Sequence, residues 1–289
     1  MEIYELKYFL GVAKVENIHR ASEKLNVSPA SLSKAIGRLE SELGVSLFRR
    51  ERRNIKLTDH GRLLQKRATD IVRLEESARL DLAGHKGAFQ VVIGGPEILL
   101  AKFGTSLGAA IKKKYPTANF DFHAAREDEV LEQLDRGEIH LAIVSGEVGS
   151  KRGLSTKVLL ETTFQTYVGP GHPLYAHAKG RKAVSVEEVL TYGFASPDNP
   201  LLGAVGARQS LDGWRDDQFP RKVEFLTSSL KILEELVRSG QAIGYLPSYF
   251  CSDLELSALK ITGCPYSCSQ KIKLVAKNPR DTSWIHQIF

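Results

Sequence analysis

The feature that most restricts the fold of this chain is a helix start signal, Ser28-Pro29, which follows two short helical patterns and opens a longer one. Ser is a favourable N-cap, and Pro fits the first helical position because the N–H that it lacks would have had no partner there. Upstream, a helix over about residues 4–14 is predicted by apolar residues at i, i+3, i+4 and i+7, namely Leu6, Phe9, Leu10 and Ala13. A second short helix is predicted over Ile18–Leu25, with Asn17 as its cap.

The third predicted helix has two contrasting faces, and Gly44 ends it. One face is apolar, because four residues recur four, three and four apart: Leu32, Ile36, Leu39 and Leu43. The opposite face is free of bulky apolar groups and carries Ala30, Ser33, Lys34, Gly37 and Arg38. Such a face can approach a DNA major groove closely and offer hydrogen bonds to base edges. The alternative interpretation is an ordinary solvent face.

Positive charge is concentrated in the N-terminal part of the chain. Residues 1–88 hold 17 Lys and Arg against 12 Asp and Glu, a net +5 of the +6 that the whole chain carries. Within eight positions, one acidic residue interrupts five basic ones: Arg49, Arg50, Arg52, Arg53 and Lys56. We predict a basic hairpin here, which after three helices gives the order of a winged helix-turn-helix. A nucleic-acid partner is one interpretation of this charge, and a solvated face is the other.

The same region resembles the signature of LysR-type transcriptional regulators. The resemblance covers about sixty continuous residues, with the runs LNVSPASLSKAIGRLE at 25–40, ELGVSLFRR at 42–50 and LTDHG at 57–61. It implies a third helix that reads the major groove and a hairpin that contacts phosphates and the minor groove. The DNA-contacting residues that we expect are Pro29, Ala30, Ser31, Ser33, Lys34, Arg38, Arg50, Arg53 and Lys56.

Some of these positions depart from the family pattern. The family commonly has Gln and then Pro where this chain has Pro29 and Ala30, and Arg where it has Lys34. Gln can form a bidentate contact with adenine, whereas Pro and Ala offer only apolar contact to a thymine methyl group. The resemblance therefore predicts DNA binding but not the operator sequence.

A long helix is predicted from Asp59 to about Ala83, since this stretch has no Pro and Asp59 can cap its start. If Glu75 fills one position, alternating spacings of four and three predict a coiled-coil seam: Leu64, Ala68, Ile71, Glu75, Ala78 and Leu82. The resemblance implies that this helix dimerises the protein, as two symmetric half-sites require. Packing of the helix on the chain's own domains is the alternative. A hinge is predicted at Gly84-His85-Lys86-Gly87.

After the hinge, strand and helix patterns alternate. A βαβαβ order is predicted from strands at 89–94, 120–123 and 141–144 and helices at 98–114 and 127–136. A second set follows, with strands near 163–168, 193–195, 223–226 and 243–246, a helix at 229–238 and a returning antiparallel strand at 271–276. This region, including the run VRSGQAIGYLP at 237–247, resembles the periplasmic-binding-protein-like effector domain of the same family.

The loops that leave the parallel strands are the predicted effector site, because two-lobed α/β domains bind ligands at the carboxyl ends of their strands. These loops hold Gly95, Pro96, Glu97, Ser145, Gly146, Thr227 and Ser228. Free N–H groups beside hydroxyl groups favour a carboxylate or another anion. Glu97 argues against a simple anion site, and Thr227 and Ser228 have capping of their helix as an alternative role. No particular effector is predicted.

The predicted architecture is α/β with an N-terminal all-α winged helix-turn-helix over 1–58, a linker helix and hinge over 59–87, and a two-lobed effector domain over 88–289. Residues 88–160 and 248–289 are assigned to the first lobe and 161–247 to the second. The expected partners are a double-stranded DNA operator, a small-molecule effector and further copies of the chain as a dimer or tetramer, with RNA polymerase as a further candidate. No cofactor is expected.

Composition and motifs argue against other classes. No run reaches the ~18 apolar residues of a membrane span, and the N-terminus lacks a signal-peptide layout, so we expect a cytoplasmic protein. The three cysteines form no disulfide framework, and a metal or redox role for Cys264 and Cys268 stays open. The motif GTSLG at 104–108 fits a hydrolase nucleophile elbow, but that motif needs a strand before a sharp turn, and here it lies within a helical pattern. We therefore expect no enzyme activity.

Two kinds of binding protein are the remaining alternatives. A solute-binding protein for transport would explain the C-terminal lobes but not the N-terminal helices. A DNA-binding architectural protein would share the basic N-terminal region, yet it would have no use for a two-lobed cleft. An effector-modulated regulator accounts for both parts.

Overall fold

The computed structural model describes residues 1–51, 54–82, 89–149, 153–204, 210–251 and 255–289. The chain divides into two compact units. The first comprises Met1–Phe89, Glu132–Glu138 and Lys277–Phe289, and the second comprises Gln90–Leu131 and Ile139–Ala276. Throughout the described ranges, no helix combines the length and the apolar character that crossing a membrane requires.

Three helices open the first unit at the predicted places: α1 Ile3–Val15, α2 Ile18–Leu25 and α3 Pro29–Leu43. Their ends are set by caps. Asn17 accepts a hydrogen bond from the N–H of Arg20 at 3.0 Å, and Ser28 accepts one from the N–H of Ser31 at 3.1 Å. Gly44 ends α3 with a φ of +68°, a conformation that favours glycine. The predicted break between α2 and α3 is confirmed.

The apolar stripes of these helices meet in two clusters. The first is formed by Leu6, Phe9, Ala13, Leu39, Leu47, Leu57, Ala68 and Val72. The second is formed by Val12, Ala21, Leu32 and Ile36. Leu43 departs from the predicted stripe, since it lies in the last turn of α3 and is 40% exposed. The buried face of α3 thus ends one turn before the helix does, and its opposite face is left uncovered.

The predicted hairpin is present, and we call it the wing. It pairs β1 Phe48–Glu51 with β2 Asn54–Leu57 in antiparallel register. Glu40 of α3 joins the wing to the helices, because its Oε1 accepts hydrogen bonds from the N–H groups of Leu47 and Phe48 at 2.6 and 3.1 Å. The wing is therefore tied to α3 by this carboxylate and by the packing of Phe48 and Ile55 against the second cluster.

A long helix, α4, runs over Asp59–Leu82, and the hinge predicted at 84–87 lies outside the described residues. The sequence predicts Asp59 as its cap, but the capping residue is Thr58, whose Oγ1 accepts a hydrogen bond from the N–H of Gly61 at 3.0 Å. Asp59 is instead the first helical residue, where its charge still favours the helix start.

The predicted coiled-coil seam of α4 is wrong in part. Ala68 is completely buried in the first cluster, Leu64 packs against that cluster, and Glu75 accepts a hydrogen bond from Lys7 of α1 at 3.2 Å. These three positions face the chain's own first helix. Among the side chains of α4 that the structure describes, the exposed apolar ones form a different set, which we call the outer stripe: Leu63, Ile71, Leu74, Ala78 and Leu82. They lie within about 100° of one another around the helix.

The first lobe is the βαβαβ unit that the sequence predicts. Its elements are β3 Phe89–Gly95, α5 Glu97–Leu99, a π-helical turn over Leu100–Gly104, α6 Thr105–Lys114, β4 Ala118–Ala124, α7 Glu127–Arg136 and β5 Leu141–Val144. β3 and β5 pair in parallel, and all four residues of β5 are buried. The carboxyl ends of these two strands therefore lie side by side.

The second lobe and the strands that join it to the first follow in the chain. The elements are β6 Leu154–Val168, α8 Tyr175–Lys179, β7 Ala183–Ser185, α9 Val186–Val189, β8 Gly193–Pro197, β9 Lys222–Thr227, α10 Leu230–Arg238, β10 Ile243–Pro247, α11 Ser248–Cys251, β11 Ser257–Ala258, β12 Lys260–Thr262 and β13 Ser269–Lys277. A 3-10 turn over Pro279–Asp281 and α12 Ser283–His286 follow β13.

Most strands of the two lobes share one sheet with the order β4-β3-β5-β13-β6-β10-β8-β9, to which β11 adds through β6, while β7 and β12 form a separate pair. β13 is antiparallel to β5, as predicted, and β6 is antiparallel to β10. We call β6 and β13 the crossing strands, since they lie between the two groups of parallel strands. The assignment of all of 248–289 to the first lobe needs correction, because β11 and β12 pair with β6 and β7 on the side of the second lobe.

Candidate functional site

The predicted reading face of α3 is open. Ala30, Ser31, Ser33, Lys34 and Arg38 are exposed, and Pro29 is half-buried at the helix start. A Cβ added at Gly37 would meet no atom of the described residues within 4 Å. Because its exposed side chains are small, hydroxylic or basic, this face of α3 can approach another surface closely and still offer hydrogen bonds.

Arg38 has a second role within the first unit. Its guanidinium forms an ion pair with Glu5 of α1 at 3.2 Å and lies over the ring of Tyr4 at 5.7 Å. The Glu5 side chain is only 5% exposed, so Arg38 compensates a nearly buried carboxylate. Any DNA contact from Arg38 is therefore made by a side chain that already stabilises the packing of α3 on α1.

The cations of the wing are not equivalent. Arg49 and Arg50 are exposed, and Arg53 lies outside the described residues. Lys56 forms an ion pair with Glu16, and this hydrogen bond raises the pKa of the Lys56 ammonium group. Sequence reasoning missed Glu16, whose φ of +47° places it in the left-handed region at the end of α1. Lys56 is thus partly neutralised, whereas the charge of Arg50 faces solvent.

Of the predicted effector loops, the one after β3 is tightly packed. Gly95 and Pro96 are buried, and Glu97 is exposed at the start of α5. A Cβ at Gly95 would lie 2.6 Å from the carbonyl oxygen of Ile143, so this glycine is needed for the close approach of β3 to β5. Gly95 and Pro96 therefore shape the end of the sheet.

The loop after β5 binds a carboxylate of its own chain. The N–H and the Oγ of Ser145 donate to Oε1 of Glu127 at 2.8 and 2.7 Å, and the N–H of Gly146 donates to Oε2 at 2.7 Å. The N–H of Ala204, from the segment after β8, also donates to Oε1 at 3.2 Å. We call Ser145, Gly146 and Ala204 the donor nest. Sequence reasoning found Ser145 and Gly146 but not Glu127, because an acid at a helix start is ordinary.

The third predicted effector loop, after β9, forms hydrogen bonds at the start of α10. Oγ1 of Thr227 accepts a hydrogen bond from the N–H of Ser229, and Ser229 caps α10 through the N–H of Ile232. Thr227 is buried and Ser228 is exposed. The cap of α10 is therefore Ser229 and neither Thr227 nor Ser228, the two residues for which the sequence left capping open, and Thr227 only holds the N–H of the cap residue.

A cavity of about 320 Å³ lies elsewhere, in the second lobe beside the crossing strands. Half of its lining residues are aromatic or aliphatic and the others are polar, small or sulfur-containing: it is lined by Phe164, Gln165, Thr166, Gly213, Trp214, Arg215, Phe219, Tyr245, Leu259, Ile261, Cys264, Tyr266, Ser267 and Cys268. The predicted effector loops do not line it. Its aromatic residues are scattered over a hundred positions and follow no period, so the sequence carries no signal for this cavity.

The two cysteines of interest both line this cavity. Cys268 is buried, and burial raises the pKa of its thiol to about 11, whereas Cys264 is half-buried at the rim. Nowhere in the described ranges do three or more His, Cys, Asp or Glu side chains group as a metal ion would require. Among the described residues, the two cysteines therefore share only their position in the wall of this cavity.

Ser106 of the hydrolase-like motif is an ordinary helix residue. It lies in α6, and its Oγ donates to the carbonyl oxygen of Lys102 one turn earlier at 3.2 Å. A nucleophile elbow needs a strand that turns sharply into a helix, and here helical residues precede the serine. The predicted absence of a nucleophile elbow at this motif is confirmed.

Comparison with known proteins identifies both parts of the chain. A family model described as "Bacterial regulatory helix-turn-helix protein, lysR family" matches residues 3–62, and one described as "LysR substrate binding domain" matches residues 88–282. The HTH-type transcriptional regulator CysL of Bacillus subtilis is 27% identical over 282 residues, which cover 93% of this chain and 89% of CysL.

Solved structures share the fold over nearly the whole length. A full-length OxyR variant from Pseudomonas aeruginosa has a TM-score of 0.70 at 19% identity, covering 100% of this chain and 92% of that one. Full-length LysG from Corynebacterium glutamicum, with its effector Arg bound, has a TM-score of 0.65 at 18% identity, covering 99% and 96%. The order of helix-turn-helix, long helix and two-lobed domain is therefore common to all three chains.

Proposed function

Because this chain belongs to the lysR family of bacterial regulatory helix-turn-helix proteins, we propose that the exposed face of α3 reads its operator and that a small molecule in the second unit changes this binding. The protein is a DNA-binding transcriptional regulator with an effector-binding domain, and its relatives are regulators, not enzymes. An architectural protein without effector sensing would not carry the substrate-binding domain that the family match identifies.

The observation that carries the DNA-binding proposal is the composition of the α3 face. Lys34 is exposed near the middle of this face, between Ser33 and the open surface at Gly37. A Lys on a recognition helix can donate to the O6 and N7 acceptors of guanine, whereas cations on a wing mainly meet phosphates. We therefore assign base discrimination to Lys34 and general affinity to Arg50.

Lys34→Ala is expected to weaken operator binding by about 1–3 kcal/mol and to relax base preference. The matched control is Arg50→Ala, which should weaken binding to operator and random duplexes alike and lower the salt dependence by about one phosphate contact. Fluorescence anisotropy at several salt concentrations measures both effects. Equal losses on operator and random DNA for Lys34→Ala would contradict the assignment.

For the effector, we propose the cavity of the second lobe in place of the loop ends. Its volume of about 320 Å³ matches small-molecule pockets, while the donor nest already holds Glu127. Phe164 and Cys268 line the cavity and join the crossing strands, since the N–H of Phe164 donates to the carbonyl oxygen of Cys268 at 2.9 Å. A ligand there would bear on the strands between the lobes. Its five aromatic residues favour a molecule with a planar ring, and polar side chains such as Gln165 and Arg215 can bind polar groups on it.

The cavity proposal predicts that blocking the cavity abolishes effector binding. A thermal-shift screen of small aromatic metabolites on the full chain should find a compound that raises the melting temperature, because it binds only the folded state. Cys264→Trp at the rim should remove that rise, whereas Cys264→Ala, which leaves the space open, should retain it. A rise of equal size in both variants would show that the compound binds outside the cavity.

A further inference from the structure

The Glu127 carboxylate is held as a bound anion would be held. Four donors converge on its two oxygens, three of them backbone N–H groups and the fourth the hydroxyl of Ser145, at 2.7 to 3.2 Å. In the described part of the chain, no Lys or Arg forms an ion pair with this carboxylate. Successive N–H groups that point into one concavity form an anion-binding nest, and hydrogen bonds from such groups to a charged oxygen are stronger than neutral ones.

The donors come from both lobes. Ser145 and Gly146 belong to the first lobe, as does the acceptor Glu127, whereas Ala204 follows β8 of the second. Ala204 makes a further bond across the same junction, because its N–H also lies 2.9 Å from Oγ of Ser145. The Glu127 carboxylate is therefore an acceptor shared between the lobes.

The segment that brings Ala204 to the nest is shaped for this position. Leu202 is completely buried, and Gln270 of β13 donates from Nε2 to the carbonyl oxygens of Leu202 and Ala204, both at 2.9 Å. Gly203 has a φ of +83°, and a Cβ there would lie 2.5 Å from Oγ of Ser145. A side chain at this position would thus meet both backbone strain and a direct clash.

We propose that Glu127 is a built-in carboxylate ligand, which fills the anion site of the donor nest and holds the two lobes together without any effector. This inference rests on the proposed function, because a latch between the lobes matters only if their arrangement is read at the operator. The nest is a site for a carboxylate group, and the side chain of Glu127 supplies that group in place of a free molecule. Opening of the lobes requires the carboxylate to leave the N–H of Ala204.

The latched arrangement also contains one unfavourable group, a buried oxygen without a hydrogen-bond partner in the described part of the chain. Oε1 of Gln270 is buried and has no hydrogen-bond partner among the described residues, although Nε2 of the same side chain makes two bonds. A buried acceptor without a partner destabilises the state that contains it. The latched arrangement therefore contains one unfavourable group beside the four bonds to Glu127, and a ligand that prefers one arrangement of the lobes shifts the equilibrium between them.

Chemical rescue tests the proposal directly. In the full chain, with Trp284 of the first unit replaced by Phe in every variant so that fluorescence reports Trp214 alone, Glu127→Ala should lower the melting temperature of the second unit by about 5 °C, because four donors lose their acceptor. Sodium acetate at about 0.1 M should restore at least half of that loss relative to sodium chloride of equal ionic strength, because acetate binds only the folded nest. The control is Asp128→Ala, the adjacent exposed acid that pairs with Arg126 on the surface, and acetate should leave its melting temperature unchanged.

A second variant separates charge from shape. Glu127→Gln keeps the size of the side chain and can leave an oxygen at the position of Oε1 with its three donors, but it presents an NH₂ group to the N–H of Gly146. It should therefore lose only part of the stability that Glu127→Ala loses, and it should not respond to acetate, since the amide fills the nest. Loss of stability in Glu127→Ala without any acetate response, or an acetate response equal to that of Asp128→Ala, would overturn the built-in ligand. These measurements use neither operator nor effector. Their outcome therefore does not depend on effector sensing, which the two Cys264 variants test separately.

Discussion

A full-length variant with Leu74→Lys and Leu82→Lys is expected to sediment as a monomer and to bind its operator about 100-fold more weakly. Leu74 and Leu82 are 58% and 90% exposed, and they lie on the outer stripe of α4, which no described residue of the chain covers. Exposed apolar side chains aligned on one helix face mark a contact with another chain. Two lysines per helix would place four like charges in that contact, and the loss of one of two linked recognition helices removes the gain in affinity from simultaneous binding.

The matched control for this experiment is the variant with Leu74→Met and Leu82→Met, which conserves apolar volume and should remain a dimer with normal operator affinity. Circular dichroism should show that both variants keep the helix content of the parent. A lysine variant that still sediments as a dimer and still binds the operator would show that the outer stripe is not the dimer contact. Dissociation of the methionine variant as well would point to an effect on the helix itself.

The N-terminal helices were predictable because their boundaries depend on local chemistry. Ser28, Pro29 and Gly44 act on the backbone within one turn, and the bonds seen at Asn17 and Ser28 are those that these residue types favour at helix starts. The same local logic fails for the face of α4. Ala68 and Ile71 fit one heptad pattern equally well, yet Ala68 packs on α1 and Ile71 is 36% exposed. The spacing of apolar residues shows which of them share a face of the helix, but whether that face packs on the same chain or stays exposed depends on tertiary packing.

The candidate sites of the second unit could be predicted only where they coincide with strand ends. Ser145 and Gly146 follow β5 directly, so topology points to them. Their partners Glu127, Ala204 and Gln270 are far apart in the sequence, and none has an unusual neighbour that would mark it. The aromatic cavity has the same origin, because Phe164, Trp214 and Tyr245 come together through the pairing of β6 with β10 and the fold of the long segment after β8.

That long segment also contains a buried charge cluster that no sequence pattern indicated. The guanidinium of Arg221, 1% exposed, binds Asp212 at 2.7 and 3.1 Å and Asp216 at 2.9 Å. It lies 5.4 Å from the rings of Phe194 and of Trp214. Burial lowers the pKa of Arg221, but its hydrogen bond to Asp216 and the charge of Asp212 outweigh burial, so the net shift is upward. The cluster therefore keeps its charge inside the second lobe.

Arg221→Met is expected to lower the free energy of unfolding of the second unit by about 3–5 kcal/mol, because it leaves the fully buried carboxylate of Asp212 without its cation. Urea unfolding followed by the fluorescence of Trp214, with Trp284 of the first unit replaced by Phe in every variant, measures the loss, since the Trp214 ring lies within the cluster. The control is Arg215→Met, which breaks the more exposed pair with Asp217 and should lower stability far less, because water and salt screen an exposed pair.

The double variant Arg221→Met with Asp212→Leu decides whether the loss comes from the unpaired charge or from lost packing. Replacing both members of a buried ion pair by apolar groups is often neutral, whereas removing one member leaves the full cost of desolvating the other. Most of the stability lost in Arg221→Met should therefore return in the double variant, with operator binding through α3 retained in both because α3 belongs to the first unit. If the double variant is instead no more stable than Arg221→Met, the cluster acts through packing on Phe194 and Trp214, and the buried charge of Asp212 is not the cause.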